Sequence, residues 1–426
     1  MRDVYIVGTH STSFGKKPEQ SFKDLTRETY LGVLADVGWE RGDALDFVYF
    51  GNCAMHGVKQ GTIRGQACTI ELVDDGLIPR RTPLVNVEGG CATGSMAIHA
   101  GAKDISSGES EVVLAMGVEK LFIPKAASDP AYKKKMMKGF MNGVDNFDLP
   151  RMFAEYERAA KLAGIPFGSG DDRSFFMDTY AVQAALHMKR YGMTQRQLAC
   201  AAATSHNYGA LNPLAQYGFE MTPDEVLADR EISFPLTRSM CAPIGDGAAS
   251  ALLCSEDALA SLPTATQDRA VKLRASVLTG GYYRDVDEPS LSRVAADRAY
   301  ARAGLGPEDV DVVEVHDASS FSVIYQLEML RLAADGGGGP LVESGATGPG
   351  GRLPVNTSGG LVSKGHPVGA TGISMVHELC LQLRGEAGER QVPGARVALQ
   401  ENGGGVIGLE EAACSVMLLE GPVAGD

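Results

Sequence analysis

The sequence predicts an α/β fold built from two copies of one unit, and three observations carry that prediction. The first is a repeated helix–strand segment. Leu25-Thr26-Arg27 opens an amphipathic stretch that stops at Gly38 and leads to LDFVYFGN at 45–52. Leu291-Ser292-Arg293 opens another that stops at Gly304 and leads to VDVVEVHD at 310–317. Each reads as helix, glycine stop, acidic turn and buried strand. The second observation is the pair VNVEGG at 85–90 and VNTSGG at 355–360. Each precedes a helical stretch and then a strand, EVVLAMG at 111–117 and RVALQEN at 396–402. Strand, loop, helix, strand therefore occurs twice, in register, as duplication would leave it. The third is the stretch 122–244, whose texture differs from both halves.

Along the chain, MRDVYIVGTHSTSFG enters a strand-like run at once. It shows no secretory apolar core or cleavage site, so it reads as a mature start. The N-terminal half is placed at 1–121 and completed by about 245–264, and the C-terminal half at 265–426. Residues 122–244 are read as an inserted loop or lid domain. They carry charge and Met in PAYKKKMMKGFMNG and LPRMFAEYERAAKLAG, then a helical MDTYAVQAALHMKRYG. Lys133-Lys134-Lys135 is expected on a solvated helix face, with phosphate binding as the alternative. The glycine run 336–339 is expected in a surface loop.

The chain has 426 residues, 39 Lys+Arg against 53 Asp+Glu and a formal charge of −14. Such a length buries a large core without disulfides. The acidic balance argues against a general nucleic-acid binder. No run of about 18 apolar residues offers a membrane span. The eight cysteines form no CxxC pair and no zinc-finger spacing, so no metal site is expected. Dispersed thiols of this kind fit a reducing cytoplasm.

The chemistry concentrates in three loops. In VNVEGGCATGSMAIHAGAKDISSG at 85–108, a strand ends, Gly89-Gly90 turn, and Cys91 begins a helix of small residues. A thiol at a helix N-terminus meets free N–H groups and the positive dipole end, which favour thiolate. That prepares a nucleophile; the alternative is a buried structural cysteine. In GGLVSKGHPVGATG at 359–372, His366 stands between Gly365 and Pro367 ahead of the matching helix. The repeat places this loop opposite the Cys91 loop, where an imidazole can take the thiol proton. His316, in VHDASS, closes a strand and can donate to a developing oxyanion, with Asp317 fixing its tautomer. In ENGGGVIG at 401–408, Gly403 offers an unobstructed N–H for a second oxyanion hole with the Cys91 N–H. The Gly360-to-Gly365 stretch lacks the GK(S/T) ending of a P-loop, no GxGxxG follows the first strand, and no GxSxG elbow is present. His56, in GNCAMHG, is a weaker candidate for the pocket wall.

Together EGGCATGSMAIHAG, SMCAPIGDGAAS at 239–250, VHDASS and GGLVSKGHPVGATG resemble the thiolase superfamily. The stretch from Val355 to Gln400 is similar to the sterol-carrier-protein-x type and to archaeal and bacterial thiolase-like proteins. The resemblance covers essentially the whole chain, with the motifs in order. It implies a five-layer αβαβα thiolase fold of two duplicated halves with an inserted loop domain. It also implies a dimer or tetramer working on acyl-CoA and coenzyme A as substrates, with no permanently bound cofactor. By the resemblance, Cys91 carries the acyl group, His366 activates it, and His316 builds the thioester oxyanion hole. The Cys91 N–H and Gly403 build the other. Most thiolases have a second cysteine as acid/base, and here the two matching positions hold Glu401 and Ala318. The proton must then be moved by Glu401, His366, a water or a group not yet placed. That absence also resembles thiolase-like proteins that work with a small zinc-ribbon/OB-fold partner. A retro-aldolase branch tends to lack the nucleophile, and Cys91 argues against it.

Overall fold

The computed structural model describes residues 2–132, 148–167 and 175–422. Lys133, Lys134 and Lys135 lie outside the described residues. The strands are β1 (Val4–Ser11), β2 (Phe47–Gly51), β3 (Leu84–Val87), β4 (Val112–Lys120), β5 (Glu231–Ser233), β6 (Leu236–Thr237), β7 (Asp246–Ser255), β8 (Val271–Gly280), β9 (Val312–Val315), β10 (Val397–Gly404) and β11 (Ala413–Glu420). Nine of them form one sheet in the order β3-β2-β4-β7-β1-β8-β11-β10-β9, and β5–β6 is a separate hairpin.

The order reads as two halves meeting at β1 and β8. In the first, β2 pairs parallel with β3 and β4, while β4–β7 and β7–β1 are antiparallel. In the second, β9 pairs parallel with β10, while β10–β11 and β11–β8 are antiparallel. Parallel neighbours need helical crossovers, which the helices Arg64–Asp74, Thr93–Ser107 and Val368–Arg384 supply. The join is short: Tyr5 pairs with Lys272 and Ile6 with Val271. The counterpart of β3 is reduced to one parallel bridge, Val313 to Val355, so VNTSGG is a vestigial edge strand.

Strand alternation sorts the side chains into layers. Along β4, Leu114, Met116 and Val118 join one core with Leu25 and Leu72 from outer helices. Val113 and Ala115 join another, shared with Ile98 and Ile373 and with Ala398 and Met417 of the second half. A third core covers the far face of the second half, with Ala295, Ile324 and Leu198. Sheet halves are thus coated by outer helices and separated by two central ones.

The central helices Thr93–Ser107 and Val368–Arg384 cross at their first turns. A Cβ on Gly94 would lie 2.9 Å from the Ile373 nitrogen, and one on Gly372 would strike Ser95. Small residues let these helices sink between the layers. Both N-termini therefore converge on one point. Between β4 and β7 the described residues contribute helices, among them Phe175–Tyr191 and Gln195–Ala210, and no strand of the large sheet. The glycine run departs from the loop expectation. Gly338–Glu343 is a short helix, and Gly338 and Gly339 are buried where Ile324 and Gln197 approach too closely for side chains.

Candidate active site

Cys91 lies in a 3-10 turn, Gly90–Ala92, between β3 and the helix Thr93–Ser107. Gly90 takes φ +59° there, a conformation open to glycine. Thr93 clamps the turn, its Oγ1 accepting from Gly89 N at 3.0 Å and donating to Gly90 O at 2.6 Å. The thiol stays half-buried rather than sealed.

His366 follows the turn Gly360–Lys364 and precedes the second central helix. Asp317 holds that turn, accepting from Leu361 N at 2.6 Å. A Cβ on Gly360 would collide with the same carboxylate. Asp317 was expected to set the tautomer of His316. Instead it is turned toward Leu361 and Ser205 and shapes the loop that carries His366. Its own carboxyl is pushed up to about 7 by burial. Beneath the loop, buried Lys364 donates to Ser374 and lies among Glu314, Glu378 and Arg390. Burial brings Lys364 down to about 8.

The structure brings Cys91, His316 and His366 together, with their reactive atoms within 4.8 Å of one another. His366 Nε2 stands 3.1 Å from Cys91 Sγ. Its Nδ1 stands 2.8 Å from Thr371 Oγ1. Thr371 donates its own hydroxyl proton to Pro367 O at 3.1 Å, so it accepts from Nδ1–H. That assigns the proton to Nδ1 and leaves the Nε2 lone pair facing the thiol. Burial alone would raise the Cys91 thiol, but His366 and His316 outweigh it and bring it down to about 5. Burial would lower His316, and the Cys91 thiolate and Glu411 raise it well above an ordinary imidazole. Transfer of the thiol proton to His366 leaves a thiolate held by both imidazoles, His366 at 3.1 Å and His316 across from it.

Glu401 is fully buried in β10 with both oxygens engaged. One accepts from His316 N at 3.1 Å and the other from Cys414 Sγ at 3.3 Å. Burial, then the charge of Glu411, pushes Glu401 up to about 8. Gly403 also lies within β10, opposite Cys414. The glycine against the Cys91 amide is its neighbour Gly404, where a Cβ would stand 2.6 Å from Cys91 N. Over Gly403 sits the Glu411 carboxyl. His56 is exposed and turned back on Cys53 O at 3.0 Å.

Sequence reasoning did not reach Thr371, Glu411 or Tyr180. Thr371 carries a legible signal, a hydroxyl one helical turn after Pro367. Glu411 and Tyr180 carry none, since only folding brings them to the site. Tyr180 is pushed well up by burial and by the nearby charges of Glu411 and Cys91.

This geometry defines a centre for nucleophilic acyl chemistry: a thiolate at a helix head, a base beside it and a second imidazole across from it. The profile "Thiolase, N-terminal domain" matches residues 4–232, and "Thiolase C-terminal domain-like" matches 283–417. An acetyl-CoA acetyltransferase of Methanothermobacter thermautotrophicus is 35% identical over 415 residues, 96% of this chain and 98% of that one. Human sterol carrier protein 2 is 34% identical over 436 residues, 97% of this chain and 74% of that one. Among solved structures, human mitochondrial 3-ketoacyl-CoA thiolase superposes with a TM-score of 0.65 at 17% identity, covering 99% of both chains. The "Ltp2-ChsH2(DUF35) aldolase" superposes with a TM-score of 0.74 at 20% identity, covering 99% of this chain and 98% of that one. The chain belongs to the thiolase family, has the thiolase fold, and is an acyltransferase. No helix among the described residues is long and apolar enough to cross a membrane.

Proposed function

We propose that the protein is a CoA-dependent acyltransferase that cleaves or forms 3-oxoacyl-CoA through an acyl intermediate on Cys91. The observation that carries this reading is the 3.1 Å contact of Cys91 with a His366 whose free Nε2 faces it. In the cleaving direction the Cys91 thiolate adds to the 3-oxo carbon. The C2–C3 bond breaks, and its electron pair leaves as the enolate of the shortened acyl-CoA. His316 stabilises the thioester oxygen of that enolate. The Cys91 amide and the Gly403–Gly404 backbone hold the oxygen of the acyl group. His366 then deprotonates an incoming CoA thiol, which takes the acyl group and frees Cys91. Two half-reactions give ping-pong kinetics. Coenzyme A is substrate and product, and the reading includes no resident cofactor. A homodimer or tetramer in the cytoplasm, with eight reduced cysteines, completes it. In this reading 1–121 with about 245–264 and 265–426 are the two halves, and 122–244 the inserted domain.

Mass spectrometry of the intact protein incubated with 3-oxoacyl-CoAs of several chain lengths tests the scheme. An acyl adduct on Cys91, absent from Cys91→Ser, is expected; no adduct with any substrate would overturn it.

A second reading makes the chain one subunit of an acyltransferase complex with a small zinc-ribbon/OB-fold protein. What favours it is the two-component name of the Ltp2-ChsH2(DUF35) aldolase, together with a relative called benzoylsuccinyl-CoA thiolase subunit BbsB, 29% identical over 409 residues. Full activity of the lone chain on acetoacetyl-CoA would exclude this reading. Dependence on a co-purifying small subunit would establish it.

A further inference from the structure

We propose that Glu411 is a further catalytic residue, the acid/base that moves the substrate α-proton when the carbon–carbon bond forms or breaks. The inference rests on the acyl-Cys91 reading and fills the role left open by the missing second cysteine.

Position is the first argument. Glu411 closes the loop between β10 and β11 and lays its carboxyl over the Cα of Gly403. Glu411 Oε1 lies 3.6 Å from His316 Nδ1. His316 is 1% exposed, and neither of its ring nitrogens has a hydrogen-bond partner. A buried imidazole set between the Cys91 sulfur and a carboxyl at 3.6 Å, close to both yet without a hydrogen bond to either, marks where a polar substrate group belongs. An enolate oxygen on His316 would bring the neighbouring α-carbon beside Glu411.

Access is the second argument. The Glu411 side chain is 16% exposed, whereas Glu401 is sealed and both its oxygens are occupied. Glu401 stands where the family resemblance points, but Glu411 is the carboxyl a substrate can reach.

The third argument is proton supply. Oxygens of Glu401 and Glu411 and the Cys414 sulfur lie within 4.8 Å of one another. Burial and the nearby charge of Glu411 push Glu401 up to about 8, so Glu401 can hold a proton beside Glu411. Glu411 also lines a cavity of about 30 Å³ with Tyr180, Ser322 and Gln326. Gln326 Oε1 is buried there without a partner. That volume suits one or two waters, a route by which the pair exchanges its proton with solvent.

The step balances as follows. In synthesis, the Glu411 carboxylate takes a proton from C2 of the second acyl-CoA. The released electron pair attacks the thioester carbon on Cys91, and the C–S bond breaks to return the thiolate. In cleavage, the C2–C3 electron pair takes the proton back from the Glu411 carboxyl.

The test uses the whole chain and acetyl-CoA in D2O, following deuterium at the methyl carbon and, separately, acetylation of Cys91. For Glu411→Gln, exchange and carbon–carbon bond formation fall by ~10²–10⁴ while Cys91 is still acetylated. Glu411→Asp, which keeps the acid but shortens its reach, recovers part of the exchange. Exchange that survives Glu411→Gln overturns the proposal. So does loss of acetylation and exchange together in a variant with unchanged melting, because Glu411 would then act only through His316. If the Gln variant does not fold, the Asp variant decides: full parental exchange from the shortened side chain overturns the proposal. A parent that exchanges but never acetylates Cys91 would sink the acyl-cysteine scheme alone. One that does neither would sink both.

Discussion

Replacing His366 by Asn tests the origin of the thiolate. In the parent the Cys91 thiol is brought to about 5 from an ordinary value near 9. That difference is roughly 5 kcal/mol in favour of the charged form. Of the effects that lower the thiol, the charge of His366 is the largest single one. An opposite charge at this range is worth ~1–3 in pKa, so the variant thiol should titrate near ~7. The assay is the pH profile of iodoacetamide alkylation at Cys91, followed by peptide mass spectrometry. A thiol becomes reactive as pH rises through its pKa, so the parent profile should climb around pH 5 and then level off. The variant profile should climb near ~7. At pH 6 the thiolate fraction falls from ~90% to ~10%, if the variant titrates near ~7. A more basic thiolate is also a better nucleophile, by ~6–10-fold for that change at a Brønsted slope of ~0.4–0.5. The two effects nearly cancel at pH 6, so a single rate there would mislead. The informative quantities are the midpoint, which moves up, and the plateau, which rises. A parent midpoint near 9, or superimposable profiles, would refute the pairing of Cys91 with His366.

Three further perturbations probe the frame around the pair. Gly404→Ala forces a methyl against Cys91 N at 2.6 Å and against neighbouring backbone; displacing the nucleophile should cut acylation by ~10²-fold, measured as the single-turnover adduct rate. Thr371→Val keeps the shape but removes the acceptor for His366 Nδ1. It should lower kcat ~10-fold or more with little change in KM, and Thr371→Ser should restore it. Lys364→Met leaves Glu314 without its buried cation, while Glu378 keeps Arg390 at 2.9 Å, at a cost of about 3–5 kcal/mol. A fall in the urea midpoint should report it, and Lys364→Arg should not rescue fully, because the site packs an ammonium against Ser374.

Local chemistry made much of the architecture readable. Helix stops at Gly38 and Gly304, alternating strands such as EVVLAMG and the two VN-x-x-GG turns depend on short-range rules of backbone and burial, and those rules act within a few residues. The glycine run 336–339 misled because loop chemistry and close helix packing both call for glycine. Only the approach of Gln197 and Ile324, distant in the chain, distinguishes them. Asp317 misled for a related reason. Adjacency to His316 suggested a partner, but its carboxyl reaches Leu361, 44 positions away.

What the chain alone determines is the inventory: a thiol at a helix head, a histidine in a glycine frame, a histidine at a strand end and a duplicated scaffold. Tertiary structure decides which of these groups feel one another. Cys91 and His366 are 275 positions apart, and their 3.1 Å contact exists because Gly94 and Gly372 let the central helices cross at their first turns. The carboxyls near the thiol were likewise undecided by sequence. Glu401 is sealed behind His316 and Cys414, while Glu411, on a loop with no motif, is folded over Gly403. Electrostatic interactions depend on distance through space and on burial, neither of which is written in the spacing of residues along a polymer.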